Sequence, residues 1–286
     1  MKELSGLGTA LITPFKADKS VDYDALARLL DTQLTGAVDY IVVLGTTGEA
    51  ATMTAEEKQE VREYICRYVN GRLPLVLGVG GNNTAAVVSD LHAMRDGLIL
   101  DFTAILSVCP YYNKPNQEGL YQHFCEVAKA SPIPVILYNV PGRTGVNLLP
   151  ETVMRIWEAH PDKILGIKEA SGNVEQIKHL IDLAKDKLLV ISGDDGIACE
   201  IMEAGGAGLI SVASNAFPED FYDIVHKKNQ AKQAQYDQMV KLLFKEGNPV
   251  GIKAVLAQKG IIQNYLRLPL VPASKELQEE IKKELA

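Results

Sequence analysis

The sequence predicts a (β/α)8 TIM barrel, an α/β fold, with a C-terminal helical appendage. Eight short apolar runs recur at intervals of roughly 20 to 35 residues, and helical patterns separate them. The runs are continuously apolar instead of alternating, which is typical of parallel strands covered on both faces. Eight alternations of strand and helix favour a closed barrel over a doubly wound sheet, which usually has fewer strands.

The eight predicted strands each run into glycine, proline or polar residues. In chain order they read GTALITPF, YIVVLGTTG, PLVLGVGG, FTAILSVCP, PVILYNVPG, ILGIKEASG, LLVISGDDG and GLISVASN. Valine, isoleucine and leucine dominate them, and these residue types pack well in a buried sheet. We therefore expect all eight runs to belong to one parallel sheet.

The predicted helices between the strands have recognisable ends. In DYDALARLLDTQLTG the leucines share one helical face, and Gly36 follows as a stop. Thr54 and Glu57 form a capping-box pair at the start of TAEEKQEVREYICRYVNG. Asn116 introduces QEGLYQHFCEVAKA as an N-cap would. These signals place helices after the first, second and fourth strands.

After about residue 230 the strand signals end and three helical segments follow. They read AKQAQYDQMVKLLFKEG, NPVGIKAVLAQKG and SKELQEEIKKELA. In the second of these, Asn248 is the expected cap and Pro249 the expected first helical residue. We therefore predict a barrel domain over 1–229 and a helical domain over 230–286, packed together because no low-complexity linker separates them.

Composition narrows the class of ligand. The chain has 286 residues, 47% of them hydrophobic, and a formal net charge of −7. An acidic chain without a run of basic residues is a poor partner for nucleic acid, so small molecules are the expected ligands. Apolar stretches are too short for a membrane span or a signal peptide, and a cytoplasmic location is expected.

The cysteines and histidines do not form a recognisable metal site. The four cysteines lie far apart without a CxxC pair, and the five histidines are equally scattered. His123 lies within a helical pattern as an ordinary helix residue would. We expect no metal and reduced, mostly buried cysteines.

The carboxyl ends of the predicted strands are unusually polar. In a barrel of this type these ends form the active site. They contribute Thr46, Thr47 and Glu49 after strand two, Tyr111 and Tyr112 after strand four, Tyr138 and Arg143 after strand five, Lys168 after strand six, and Asp194 and Asp195 after strand seven. These residues are the candidates for function.

Lys168 indicates which reaction these residues could perform. It ends the apolar run ILGIK, and burial of a lysine favours its neutral amine, a nucleophile for carbonyl carbon. The resulting Schiff base is an electron sink that allows the adjacent carbon to lose a proton. The alternative is a lysine whose ammonium reaches solvent just beyond the strand.

Neighbouring hydroxyls suit that chemistry. Forming and hydrolysing a Schiff base requires proton transfer at a carbinolamine oxygen, and Tyr138, Thr46 and Tyr112 can both donate and accept. The alternatives are capping hydroxyls and tyrosines packed at the barrel rim. Arg143 suits a substrate carboxylate or a surface ion pair, whereas GDDG is mainly typical of a turn.

The motifs GTTGEAATMTAEEK, PYYNKPNQEGLYQHF, LYNVPGRTG, GIKEASGN, SGDD and GGAGLISV, in this order, resemble the dihydrodipicolinate synthase family of pyruvate-dependent class I aldolases. The resemblance covers essentially the whole chain. It implies that pyruvate forms a Schiff base with Lys168 and that its enamine adds to aspartate 4-semialdehyde. This condensation belongs to the diaminopimelate route of lysine biosynthesis.

The resemblance also implies residue roles. Tyr138, Thr46 and Tyr112 would form the proton relay, and Thr47 would hold the pyruvate carboxylate. Arg143 would receive the semialdehyde carboxylate, and Ile210 would present a backbone carbonyl near the lysine. A homotetramer or homodimer is implied, with the PYYN tyrosine reaching a neighbour's site, and no cofactor, because the lysine itself is the electron sink.

Two alternatives and two departures accompany the resemblance. A sister lyase, such as N-acetylneuraminate lyase or ketodeoxygluconate aldolase, would share Lys168, and a non-catalytic barrel would bind small acids without using it. Cys109 stands where the family often has threonine, and DGLILDFTAIL lacks the family's usual glycine-alanine-aspartate signature ahead of strand four. The residues that bind inhibitory lysine in relatives are replaced by Ala55, Lys58 and Ala86, so lysine inhibition is not expected.

Overall fold

The computed structural model describes residues 2–94 and 98–286. Eight parallel strands, β1 to β8, follow one another in chain order and close into a barrel, so the predicted fold is confirmed. Their bounds are Gly6–Ala10, Tyr40–Val43, Leu75–Gly80, Ala104–Val108, Val135–Asn139, Ile164–Glu169, Leu189–Ser192 and Gly208–Ser211. Each lies within or against one of the eight apolar runs of the sequence.

The α-helices follow the strands in the predicted alternation, and further helices follow β8. Their bounds, α1 to α12, are Tyr23–Thr35, Ala55–Val69, Thr84–Met94, Gln117–Ala130, Pro141–Thr144, Pro150–Ala159, Val174–Ala184, Ala198–Glu203, Pro218–His226, Gln230–Lys245, Val250–Gln258 and Lys275–Glu284. A C-terminal helical part is therefore present, as predicted.

The chain divides into two compact units. The first contains Pro74–Ile210 together with the N-terminal segment up to Ser5. The second contains Gly6–Leu73 and Ser211–Ala286. The boundary between a barrel domain over 1–229 and a helical domain over 230–286 stays a prediction.

Helix caps agree with the sequence at several ends. The Thr54 side chain accepts from the Glu57 backbone N–H, and the Glu57 carboxylate accepts from the Thr54 N–H, which completes the capping box. Asn116 caps α4 by accepting from the Gly119 N–H at 2.9 Å. The expected cap at Asn248 is wrong, because α11 begins at Val250 and the Asn248 amide bonds to another side chain.

The register of β5 and β6 positions the predicted lysine. Tyr138 pairs with Lys168, and Asn139 pairs with Glu169. Since successive side chains of a strand point to opposite faces, Lys168 and Glu169 occupy different layers. At the end of β6, Lys168 and Glu169 therefore contact different sets of neighbours.

Within the described residues, no helix combines the length and apolar character that crossing a bilayer requires. The same residues contain no group of three or more His, Cys, Asp or Glu side chains able to hold a metal ion.

Candidate active site

Lys168 is buried against an aromatic ring near the end of β6. Only 6% of the lysine is exposed, and its Nζ lies 4.7 Å from the centroid of the Tyr138 ring. The two residues are brought together by the pairing of β5 with β6. The alternative of a lysine whose ammonium reaches solvent beyond the strand is therefore wrong, because the side chain is buried. An amine and a phenol share one buried environment.

Gly193, just after β7, leaves the space that Lys168 occupies. A Cβ at this position would lie 2.9 Å from Lys168 Cε and 2.5 Å from Ala170 Cβ. Such distances require the lysine stem to move, so a side chain here would displace the amine. Sequence reasoning did not single out Gly193, although the SGDD motif contained the signal.

On the other face of β6, Glu169 organises a buried polar network. Its carboxylate accepts from Asn139 Nδ2 at 2.8 Å, from the Ser171 N–H at 2.7 Å and from Gln176 Nε2 at 3.2 Å. Burial raises the pKa of Glu169, and these hydrogen bonds oppose that effect. The network ties the ends of β5 and β6 to α7. It fixes the backbone beside Lys168, a role that sequence reasoning missed.

Tyr112 is held outward in an unusual backbone conformation. Its φ is +75°, in the left-handed region that bulky residues rarely adopt, and 88% of the residue is exposed. The Tyr112 N–H donates to the Thr144 carbonyl at 3.2 Å. This bond joins the PYYN segment to α5, which carries Arg143. Arg143 is exposed and lies in a single helical turn.

Thr46 and Thr47 belong to the second unit, in a 3-10 turn that follows β2. Thr47 is buried, and its Oγ1 accepts from Asn248 Nδ2 at 2.9 Å. Thr13 Oγ1 donates to the Gly48 carbonyl at 2.8 Å, which fastens the turn to the segment after β1. The turn is thus held by contacts on two sides.

Glu49 continues this turn and is held by the C-terminal part. Its φ is +54°, and its carboxylate forms an ion pair with Lys253 in which both side chains are almost fully buried. Glu49 Oε2 also accepts from the Arg267 backbone N–H at 3.1 Å. Burial lowers the pKa of Lys253 to about 8, although Glu49 acts in the opposite direction. Sequence reasoning noted Glu49 but not its partner.

The remaining candidates lie within β8 or beside the ends of β4 and β7. Asp194 Oδ1 accepts from the Gly196 N–H at 2.8 Å, as expected for a turn. Ile210 lies buried within β8. The Cys109 N–H donates to the Tyr138 carbonyl at 2.9 Å, and burial raises the pKa of its thiol. Cys109 therefore packs the end of β4 against the tyrosine strand as a neutral thiol.

Comparison with known proteins identifies the family of this chain. The model of the dihydrodipicolinate synthetase family matches residues 3–286. The chain belongs to this family. The predicted family is confirmed, and so is the predicted enzyme class.

Relatives of the family support the assignment over nearly the full chain. The 4-hydroxy-tetrahydrodipicolinate synthase of Parabacteroides distasonis is 47% identical and covers 99% of this chain and 96% of its own. That of Flavobacterium psychrophilum is 48% identical, with 98% and 97% covered. A chloride-inhibited dihydrodipicolinate synthase from Acinetobacter baumannii, solved with pyruvate, has a TM-score of 0.93 at 38% identity, with 99% and 98% covered.

Proposed function

We propose that the chain condenses pyruvate with L-aspartate 4-semialdehyde, through a Schiff base on Lys168, to form 4-hydroxy-tetrahydrodipicolinate. The observation that carries this proposal is the buried amine of Lys168 beside the Tyr138 ring. The names of the relatives supply the reaction, and the pyruvate complex of the Acinetobacter enzyme supplies the first substrate.

The first half of the reaction uses Lys168 as nucleophile. Its Nζ attacks the carbonyl carbon of pyruvate, and the carbinolamine oxygen leaves as water after protonation. Tyr138 is the proposed proton carrier at this oxygen, because a phenol both donates and accepts. Loss of a methyl proton from the Schiff base then gives the enamine.

The second half joins the two substrates. The enamine carbon attacks the aldehyde carbon of the semialdehyde, and the substrate's own amine then attacks the imine carbon and releases Lys168 as the ring closes. We assign Thr46 and Tyr112 to the relay, Thr47 to the pyruvate carboxylate, Arg143 to the semialdehyde carboxylate and Ile210 to a backbone carbonyl contact. These roles rest on the family resemblance.

Trapping the intermediate tests the proposal. Borohydride reduction of the folded protein in the presence of pyruvate is expected to add a reduced pyruvate adduct, detected by intact mass and located at Lys168 by peptide mapping. A non-catalytic barrel would give no adduct. Absence of the adduct from correctly folded protein would overturn the mechanism.

Substitution of Arg143 by alanine separates this function from that of a sister sugar lyase. We expect kcat/KM for the semialdehyde to fall, because a charge-assisted contact to its carboxylate is lost. The decrease should correspond to a loss of roughly 2 to 4 kcal/mol of transition-state stabilisation. The pyruvate adduct at Lys168 should still form. An unchanged dependence on the semialdehyde would favour the sugar lyase.

Tyr112 tests assembly. We propose that the chain forms a homodimer or homotetramer, since an 88% exposed tyrosine held at positive φ is well placed to enter a neighbouring copy. We also propose that the protein is located in the cytoplasm. Mixing inactive Tyr112→Phe protein with inactive Lys168→Ala protein should then restore part of the activity, because one site of a hybrid receives both intact residues. Failure after verified subunit exchange would assign Tyr112 to its own chain.

Lysine inhibition is expected to be absent. The helix after GTTGE carries Ala55 and Lys58, and α3 carries Ala86, where lysine-inhibited relatives have two histidines and a glutamate. A missing charge-assisted bond weakens binding by roughly ten- to hundredfold. Activity assays with increasing lysine should show no inhibition at submillimolar concentrations, and half-inhibition in that range would contradict the prediction.

A further inference from the structure

The segment before α11 reaches the turn that carries the two threonines. Asn248 is buried, and its side-chain amide donates to Thr47 Oγ1 at 2.9 Å. Both residues belong to the second unit, although 201 positions separate them in the sequence. A sequence-based search for function would therefore treat Asn248 as a helix cap, whereas its contact lies at the GTTGE motif.

The direction of this hydrogen bond determines what Thr47 can do. A hydroxyl has one proton to donate and lone pairs that accept. Because Asn248 already donates to Thr47 Oγ1, the acceptor side of the hydroxyl is engaged and its proton is directed elsewhere. A carboxylate can only accept hydrogen bonds, so a threonine in this state is prepared to bind one.

The same C-terminal part holds the turn at a second point. Lys253 forms the buried ion pair with Glu49, and the Arg267 guanidinium donates to the Thr52 carbonyl at 3.1 Å. The turn is therefore anchored on both sides of Gly48. A rigid backbone lets one hydrogen bond set the orientation of the Thr47 hydroxyl.

We propose that Asn248 is a positioning residue that orients the Thr47 hydroxyl as a donor to the carboxylate of the 2-oxo acid substrate. The inference rests on the proposed function, since it takes Thr47 as the carboxylate contact. Asn248 itself does not touch the substrate. It donates a hydrogen bond to Thr47 Oγ1, and the Thr47 hydroxyl is thereby oriented to donate its own proton to the substrate carboxylate.

Three variants test the proposal by steady-state kinetics and by the pyruvate dependence of borohydride trapping. Asn248→Ala is expected to raise the pyruvate KM about three- to tenfold, the effect of one hydrogen bond, with a smaller change in kcat. Asn248→Asp keeps the side-chain shape but reverses the hydrogen bond. A carboxylate can only accept, so the Thr47 hydroxyl would donate its hydrogen bond to the introduced carboxylate instead of to the substrate. This variant should raise the pyruvate KM by about two orders of magnitude, since it also places a negative charge near the substrate carboxylate.

The third variant, Thr47→Val, makes the test specific. If Asn248 acts through Thr47, adding Asn248→Ala to Thr47→Val should leave the pyruvate KM at the value of Thr47→Val alone. Asn229→Ala is the matched control, because Asn229 is an asparagine of the same C-terminal part that caps α10 by accepting from the Lys232 N–H. It should lower the melting temperature slightly and leave the pyruvate KM unchanged.

Two outcomes overturn the proposal while the proposed function stands. In one, folded Asn248→Asp protein forms the borohydride-reduced adduct at the same pyruvate concentrations as the wild-type protein. In the other, Asn248→Ala retains its full effect in the Thr47→Val background, which shows a purely structural role. If the wild-type protein forms no adduct at Lys168, the proposed function fails first and the positioning role fails with it.

Discussion

Lys168→Ala protein is expected to fold normally and to lose activity by about four orders of magnitude or more, the scale seen when a covalent nucleophile is removed. The reason is that no other amine has been assigned to form the Schiff base with pyruvate. The loss should appear in kcat, and borohydride trapping should yield no adduct. Circular dichroism and thermal melting check that the fold is retained.

The matched control is Lys178→Ala in the same unit. Lys178 lies in α7 and forms an exposed ion pair with Glu200 at 2.9 Å. An exposed pair contributes roughly 0 to 1 kcal/mol, so this variant should retain activity and the adduct at Lys168. Substantial activity in Lys168→Ala protein, with the fold intact, would exclude Lys168 as the nucleophile.

Breaking the ion pair between Lys253 and Glu49 is expected to give the largest loss of stability. Both side chains are almost fully buried, and removing one partner leaves an uncompensated charge inside the protein. Lys253→Met or Glu49→Gln should lower the free energy of unfolding by about 3 to 5 kcal/mol, measured by urea denaturation. Combining the two substitutions should recover part of this loss, because no isolated charge remains.

The pH dependence separates the two single variants. The pKa of Lys253 is lowered to about 8, whereas the unfolded lysine keeps its ordinary value of 10.5. Between these two values the unfolded state binds more protons, so the contribution of Lys253 to the free energy of unfolding rises with pH. Because Glu49 raises the pKa of Lys253, the lysine of Glu49→Gln protein loses its proton at lower pH than that of the wild type. The loss in Glu49→Gln protein should therefore shrink as the pH is raised to about 8 and stay constant above it. The loss in Lys253→Met protein should instead grow above pH 8, because this variant lacks the lysine whose contribution rises with pH.

The exposed pair provides the control here as well. Lys178→Met removes one partner of a pair whose side chains are 40% and 49% exposed, and it should change the free energy of unfolding by less than about 1 kcal/mol. Equal effects at the two positions would show that burial of the Lys253 pair contributes little.

The barrel was predictable because its signal is local and repeated. Each strand is an apolar run, and each of three helices carries a cap such as Thr54 that the sequence displays directly. Lys168 was predictable for a related reason, since a charged residue within an apolar run is conspicuous. The burial of Lys168 against Tyr138 then followed from the pairing of neighbouring strands.

The supporting contacts were not predictable from the sequence, because they join distant parts of the chain. Asn248 resembles a helix cap by position, and only the folded chain shows that its amide reaches Thr47. Lys253 lies in an apolar helix pattern where nothing reveals Glu49 as its partner. Gly193 resembles an ordinary turn glycine until the space beside Lys168 is measured.

The anchoring of the GTTGE turn by the C-terminal segment has a consequence for protein engineering. Asn248, Lys253 and Arg267 all follow the last strand, and each bonds to residues between Thr47 and Glu57. A minimal enzyme made by ending the chain after β8 would keep every residue assigned to the chemistry. It would lose the side chains that hold Thr47 and Glu49 in place, so the catalytic barrel cannot be excised as a portable scaffold without redesigning this turn.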